Sequence, residues 1–265
     1  MTNSYHGIIK KLHSSLNGEV QYSLPIGSDL VDLNPLINKK IKLSFSGEIF
    51  CIKCNNKIKK TFAQGYCFPC FRDAPETSEC ILRPELCRAH EGESRDMEWS
   101  KKYCLTDQHI YMSFTGNLKI GVTRFSQIPT RWVDQGATKA IILCTTPNRY
   151  LAGVIEVYLK QFYSDRTHWI KMLSGKFEEP DFNQCYVDVK KHLDTKFSKY
   201  IIDSKWVDIN YPIESIPEKI KSLSFDKEPI YEDILTGIKG QYLLFKNNKV
   251  LNIRKHTGYV VEINY

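Results

Sequence analysis

Four cysteines spaced C-x2-C-x12-C-x2-C, in Cys51-Ile-Lys-Cys54 and Cys67-Phe-Pro-Cys70, constrain this chain more than any other feature. Two such knuckles can place four thiolates around one tetrahedral Zn²⁺, and Gly65, just before the second knuckle, eases the turn. Four thiolates leave no coordination position for water, so the spacing predicts a structural zinc. Four buried free cysteines and an iron–sulfur centre are the competing readings. A second run, Cys80, Cys87 and His90 with Cys104 further on, reads as another zinc site of Cys₃His type, at less regular intervals. The bland reading packs these cysteines as small hydrophobes and leaves His90 on the surface. Cys144 falls in an apolar strand and is expected in the core, while Cys185 shows no partner.

The chain has nine cysteines, and the opening MTNSYHGIIKKLHSS lacks the apolar stretch and small-residue cleavage site of an export signal. Thiols in such a chain are expected to stay reduced, which favours metal ligation over disulfides and a cytoplasmic location. No apolar run approaches the roughly 20 residues that a bilayer span needs, so no membrane association is expected. Oligomeric state is not legible.

Charge adds a second constraint. Residues 101–175 hold ten Lys/Arg against four Asp/Glu, which is +6 of a total of +7. The remainder of the chain is close to balanced. A basic segment in a neutral protein points to a polyanionic partner, nucleic acid being the commonest, against the alternative of a solvated basic surface.

Periodicity organises the chain as an α+β protein in four stretches. Residues 1–50 form a β-rich N-terminal segment with alternating runs at Val20–Leu24 and Lys42–Phe50. Residues 51–104 form the cysteine-rich zinc module. Residues 105–175 read as a small α/β domain: hairpin arms His109–Phe114 and Leu118–Thr123 around Thr115-Gly116-Asn117, a short helix Thr130–Gly136, a strand Ala140–Cys144, and a helix Arg149–Tyr163. On that helix Leu151, Val154, Ile155, Tyr158, Leu159 and Phe162 make one apolar stripe. Residues 176–265 carry a helix within 183–200 and a β-meander able to pair with the N-terminal strands.

The β-β-α-β-α order, with His109-Ile-Tyr111, Lys119-Ile-Gly121, Arg131 and Glu156 in sequence, resembles the GIY-YIG endonuclease superfamily over about 65 residues. The resemblance implies that Tyr111 and Gly121 stand for the motif tyrosine and glycine. It makes Arg131 the helix arginine facing the scissile phosphate, and Glu156 the carboxylate for a catalytic Mg²⁺ or Mn²⁺. Two positions depart from the pattern. His109 replaces the first motif's glycine, and Lys119 replaces the second motif's tyrosine. The polar residue after the glutamate has no clear counterpart, with Asp165, Thr167 and His168 nearby.

Hydrolysing a phosphodiester needs a base for water, fixed positive charge on the phosphate and help for the leaving oxygen. Tyr111 is the candidate base, with Lys119 able to bind phosphate or lower the pKa of Tyr111, Arg131 the fixed charge and Glu156 the metal holder, while Gly121 would let backbone and phosphate approach. Lys119, Arg124, Arg131 and Arg149 are the candidate phosphate contacts. Each has an ordinary alternative, such as Glu156 pairing with Lys160 one helical turn on.

The runs Gln-Gly-Tyr-Cys-Phe-Pro-Cys, Gly-Val-Thr-Arg, Arg-Trp-Val-Asp-Gln-Gly-Ala and Gly-Gln-Tyr-Leu-Leu-Phe also resemble the bacterial domain-of-unknown-function family 2797 along most of the chain. Three functional classes follow: a nucleic-acid-binding protein able to cleave phosphodiesters, a non-catalytic nucleic-acid-binding module, and a zinc-built scaffold for protein partners.

Overall fold

Residues 3–164, 168–194 and 196–265 are described by the structure, a computed structural model. The chain is of mixed α and β type and divides into two units. One combines residues 1–72 with 210–265, and the other is the continuous stretch 73–209.

In the first unit an eight-stranded sheet is organised around the strand Lys40–Phe50. Its residues alternate with period two, burying Ile41 and Leu43 and exposing Lys40 and Lys42, as a half-buried strand requires. Tyr259–Asn264 and Ile230–Lys239 pair with it antiparallel on its two sides. Ser4–Ile8 extends the sheet beyond Tyr259–Asn264. The C-terminal meander thus does pair with N-terminal strands. The strand Ile230–Lys239 escaped the sequence reading because its inward positions are Tyr231, Asp233 and Leu235, so an acid interrupts the apolar period. Asp233 is tolerated there because Tyr231 Oη (2.8 Å) and the backbone N–H groups of Ile234 (2.8 Å) and Asn247 (3.0 Å) donate to it.

Lys40–Phe50 delivers Cys51 to the first cysteine cluster, and the exit of this strand depends on Gly258. That residue sits at φ +96°, and a Cβ on it would lie 2.4 Å from the Phe50 carbonyl oxygen. The Phe50 N–H donates to the Gly258 carbonyl at 2.7 Å, and the Gly258 N–H donates to that of Ile9 at 2.9 Å. Only glycine satisfies both the left-handed backbone and the close approach.

The second unit is built on a four-stranded antiparallel sheet, in the order Val207–Asp208, Lys139–Thr146, Gln108–Phe114, Leu118–Arg124. Every residue of Gln108–Phe114 is buried, consistent with a central strand covered on both faces. Gly116, at φ +88°, closes the hairpin. The helices Thr130–Asp134 and Arg149–Leu159 follow the second and third strands, giving the β-β-α-β-α order. Ile110, Met112, Ile120, Ile141 and Leu143 from the sheet pack with Ala152, Ile155 and Leu159, and with Val189 and Leu193 of the helix Phe182–Asp194.

Two helix ends fall short of expectation. Thr130–Asp134 stops before Gly136, which turns the chain at φ +72°. The later helix ends at Leu159, and Phe162 leaves the apolar stripe to stack on His192, ring centroids 3.8 Å apart. Among the described residues no helix is long and apolar enough to cross a membrane.

Replacing Gly258 by Ala is expected to destabilise the first unit by about 1–3 kcal/mol, because it forces strain onto a non-glycine residue. The check is the denaturant midpoint for that unit, read beside the retention of metal at Cys51–Cys70.

Candidate functional site

Two cysteine clusters form, one in each unit. In the first, the ligand atoms of Cys51, Cys54, Cys67 and Cys70 all lie within 4.8 Å of one another. Cys54 Sγ and Cys67 Sγ are 3.7 Å apart, and the Cys70 N–H donates to Cys67 Sγ at 3.5 Å. Burial pushes the Cys51 thiol up, but the backbone N–H groups of Cys54, Cys67 and Lys53 outweigh it and bring the thiol down to about 6. Crowding by Cys67 instead pushes Cys70 up to about 12. Four sulfurs so placed ionise together only around a cation, which is what a thiolate metal site supplies. The four cysteines gather as their spacing leads one to expect, and the set can hold a metal ion.

In the second unit Cys80, Cys87 and Cys104 bring their sulfurs within the same distance of one another. Cys104 is held well below the usual thiol range because Cys80 and Cys87 donate to it and the Arg149 guanidinium lies beside it. His90 is not brought into this cluster. Its ring stacks on Tyr150, centroids 4.4 Å apart, and among the described residues the group consists of the three cysteines. Both clusters can hold a metal ion, the second through three protein thiolates. Cys144 is fully buried in Lys139–Thr146, and burial pushes its thiol up to about 12, as befits an inert core residue.

The five residues proposed for catalysis meet at one place. Tyr111, Lys119, Gly121, Arg131 and Glu156 line a single small pocket of about 140 Å³, together with Ile81, Leu82, Pro84, Gln135 and Lys160. The antiparallel register sets Tyr111 directly across from Gly121. A Cβ at Gly121 would lie 2.5 Å from Tyr111 Oη, so the space freed by this glycine is filled by the phenol rather than left for phosphate.

Tyr111 is fully buried and its hydroxyl donates to Gln135 Oε1 at 2.9 Å. Burial raises its pKa above the ordinary phenol value, while the charge of Arg131 and its hydrogen bond oppose that rise. Glu156 is buried and forms an ion pair with Lys160, Nζ to Oε2 3.4 Å. Its helix starts at the cap Asn148, whose side chain accepts the Leu151 N–H at 2.9 Å.

A larger cleft of about 380 Å³ in the same unit is lined by Arg124, Arg131 and Arg149, with Trp99, Tyr103, Thr123, Gln127 and one acid, Glu76. Arg131 lines both cavities. The Arg124 guanidinium lies over the Tyr103 ring at 4.5 Å. Burial, then the neighbouring charge of Arg149, lowers the Arg124 pKa, a sign of cations crowded together. Arg149 Nη2 donates to the Tyr103 carbonyl at 3.4 Å.

The sequence reading passed over Gln135 and the aromatic wall of Trp99 and Tyr103, and the ordinary pairing it allowed for Glu156 with Lys160 is present in the pocket wall. Gln135 was detectable, because it follows Arg131 by four residues and shares its helical face. Asp165 and Thr167 lie outside the described residues. His168 precedes the helix Trp169–Ser174 and does not line the small pocket.

Residues 38–261 match the model of a family described as a protein of unknown function (DUF2797). The chain belongs to the DUF2797 family. The match spans most of the chain and takes in both cysteine clusters and both cavities. Neither a curated protein nor a solved structure matches it.

Two measurements follow for this family member. Metal analysis of the purified chain is expected to give two zinc ions, falling by one in Cys51→Ser. Because folding raises the pKa of Tyr111, its stabilising contribution is complete below the ordinary phenol pKa of about 10 and is lost as pH rises through the folded value. Tyr111→Phe is therefore expected to flatten the fall in stability of the second unit as pH rises above about 10, read by denaturation at each pH.

Proposed function

We propose that this protein binds nucleic acid along the cleft of Arg124, Arg131 and Arg149, and that the adjoining pocket is arranged for divalent-metal-dependent phosphodiester cleavage. The observation that carries this reading is the placement of Arg131, which lines both the three-arginine cleft and the pocket holding Tyr111, Lys119 and Glu156. Guanidinium groups offer planar, paired donors that match phosphate oxygens, and Trp99 and Tyr103 add faces on which bases stack. The strand order and the motif positions agree with the GIY-YIG-like reading of this unit.

Within the pocket, Tyr111 would take the proton of the attacking water, with Arg131 favouring the tyrosinate and stabilising the charge on phosphorus. Glu156 would hold one Mg²⁺ or Mn²⁺, which supplies charge at the leaving oxygen. Lys119 would contact a phosphate from the strand edge. In both cysteine clusters zinc would serve a structural role.

A second reading, binding without cleavage, is favoured by one observation. Tyr111 is wholly buried and its hydroxyl is committed to Gln135.

Binding to mixed-sequence DNA and RNA should weaken steeply with salt, and Arg124→Ala or Arg131→Ala should each weaken it about tenfold and lower the salt slope by about one. Absence of binding to either at low salt would sink the proposal. With Mg²⁺ or Mn²⁺ present, cleavage should vanish in Glu156→Ala and Arg131→Ala. Binding without any cleavage by the wild type would establish the second reading.

A further inference from the structure

Residues 73–96 bury very little. Only Ala74, Pro84, Cys87 and Ala89 are buried, and the chain runs through four short 3₁₀ turns rather than through a long element. Such a stretch cannot hold its shape by hydrophobic burial alone, and it needs a staple.

Three points tie it down, and they bear on the small pocket. Cys80 and Cys87 bracket the six residues 81–86, and Ile81, Leu82 and Pro84 from that loop form part of the wall of the pocket that holds Tyr111 and Glu156. In the middle of the loop the backbone presses on the helix Arg149–Leu159 at Gly153, where a Cβ would lie 2.1 Å from Glu85 N and 2.4 Å from the Pro84 carbonyl carbon. Gly153 stands one turn before Glu156 on that helix. At its start the same helix is joined to the third cysteine, since the Arg149 N–H donates to the Cys104 carbonyl at 2.8 Å.

We infer that a thiophilic divalent ion, zinc by the chemistry of three thiolates, bound at Cys80, Cys87 and Cys104 sets the position of loop 81–86 over the Tyr111–Glu156 pocket, so that metal occupancy and the state of the pocket are linked. The inference rests on the reading of this cluster as a metal site and is independent of any nucleic-acid partner. Closing the cluster draws the two loop ends and the helix start together, and Gly153 is the one helix position that lets the loop lie flat against it. Metal binding energy is spent as local folding energy in segments of this kind. Linkage is reciprocal: whatever lifts the loop from the helix must weaken metal binding by the factor that metal binding favours the seated loop.

Two variants of the full chain test this, read by zinc content and by hydrogen exchange with mass spectrometry. Cys87→Ser should lose one zinc per chain and should speed amide exchange at least tenfold in residues 80–87 and in 153–157, leaving 51–70 unchanged. Unaltered zinc content would overturn the metal reading and the inference together. Loss of one zinc with wild-type exchange at 80–87 and 153–157 would overturn the inference alone. Gly153→Ala keeps every cysteine and decides the question if Cys87→Ser does not fold. It should release one of its two zinc ions to a chromogenic chelator about tenfold faster than wild type, and release of both at the wild-type rate would refute the linkage.

Discussion

The helix Arg149–Leu159 is buried on two sides, and the second unit depends on that. Ala152, Ile155 and Leu159 face the sheet core, while Gly153 receives the backbone of Pro84 and Glu85 at a separation that no side chain would permit. A helix used this way needs more than its one apolar stripe, because a second face is covered as well. Its second face must be small where backbone approaches and polar where a cavity opens, which is where Gly153 and Glu156 stand. The burial of Glu156 is a consequence of that arrangement, and Lys160 offsets part of its cost.

The cross-strand pair Tyr111 and Gly121 imposes a similar exchange. The glycine gives up its own packing so that a phenol can lie across it and reach Gln135. Oriented by this contact, Tyr111 meets the electrostatic influence of Arg131 inside a closed space, where charge interactions are stronger than in water. The two arginines flanking Arg131 in the larger cleft extend positive charge outward from that space.

Much of this was legible in the sequence where a local pattern decided it. The knuckles at Cys51–Cys54 and Cys67–Cys70 carry their geometry in their spacing, and the hairpin around Gly116 carries its turn in three residues. The residues Tyr111, Gly121, Arg131 and Glu156 could be set in order, and the fold brings them to one pocket. What could not be read was decided by distant partners. Ile230–Lys239 hides its period because Asp233 is satisfied by groups as far away as Asn247. His90 has the right residue type for a ligand, yet its placement beside Tyr150, sixty residues on in the sequence, leaves it outside the gathered cysteines. The loop walling the pocket gave no signal, since short 3₁₀ turns with a single buried residue, Pro84, have no periodicity to detect.

The pairing of Lys40–Phe50 with Tyr259–Asn264 has a consequence for how the chain is made. The unit holding the first cysteine cluster is completed by residues from both halves of the sequence, and the stretch 73–209 interrupts it. During synthesis Cys51, Cys54, Cys67 and Cys70 therefore emerge long before Gly258, the residue that shapes the strand exit beneath them. The later unit, continuous in sequence, can be assembled while the earlier cysteines still await their final cradle. Those thiols spend that interval in a nascent chain whose protection from oxidation must come from its surroundings, or from a metal ion already held by the knuckles alone.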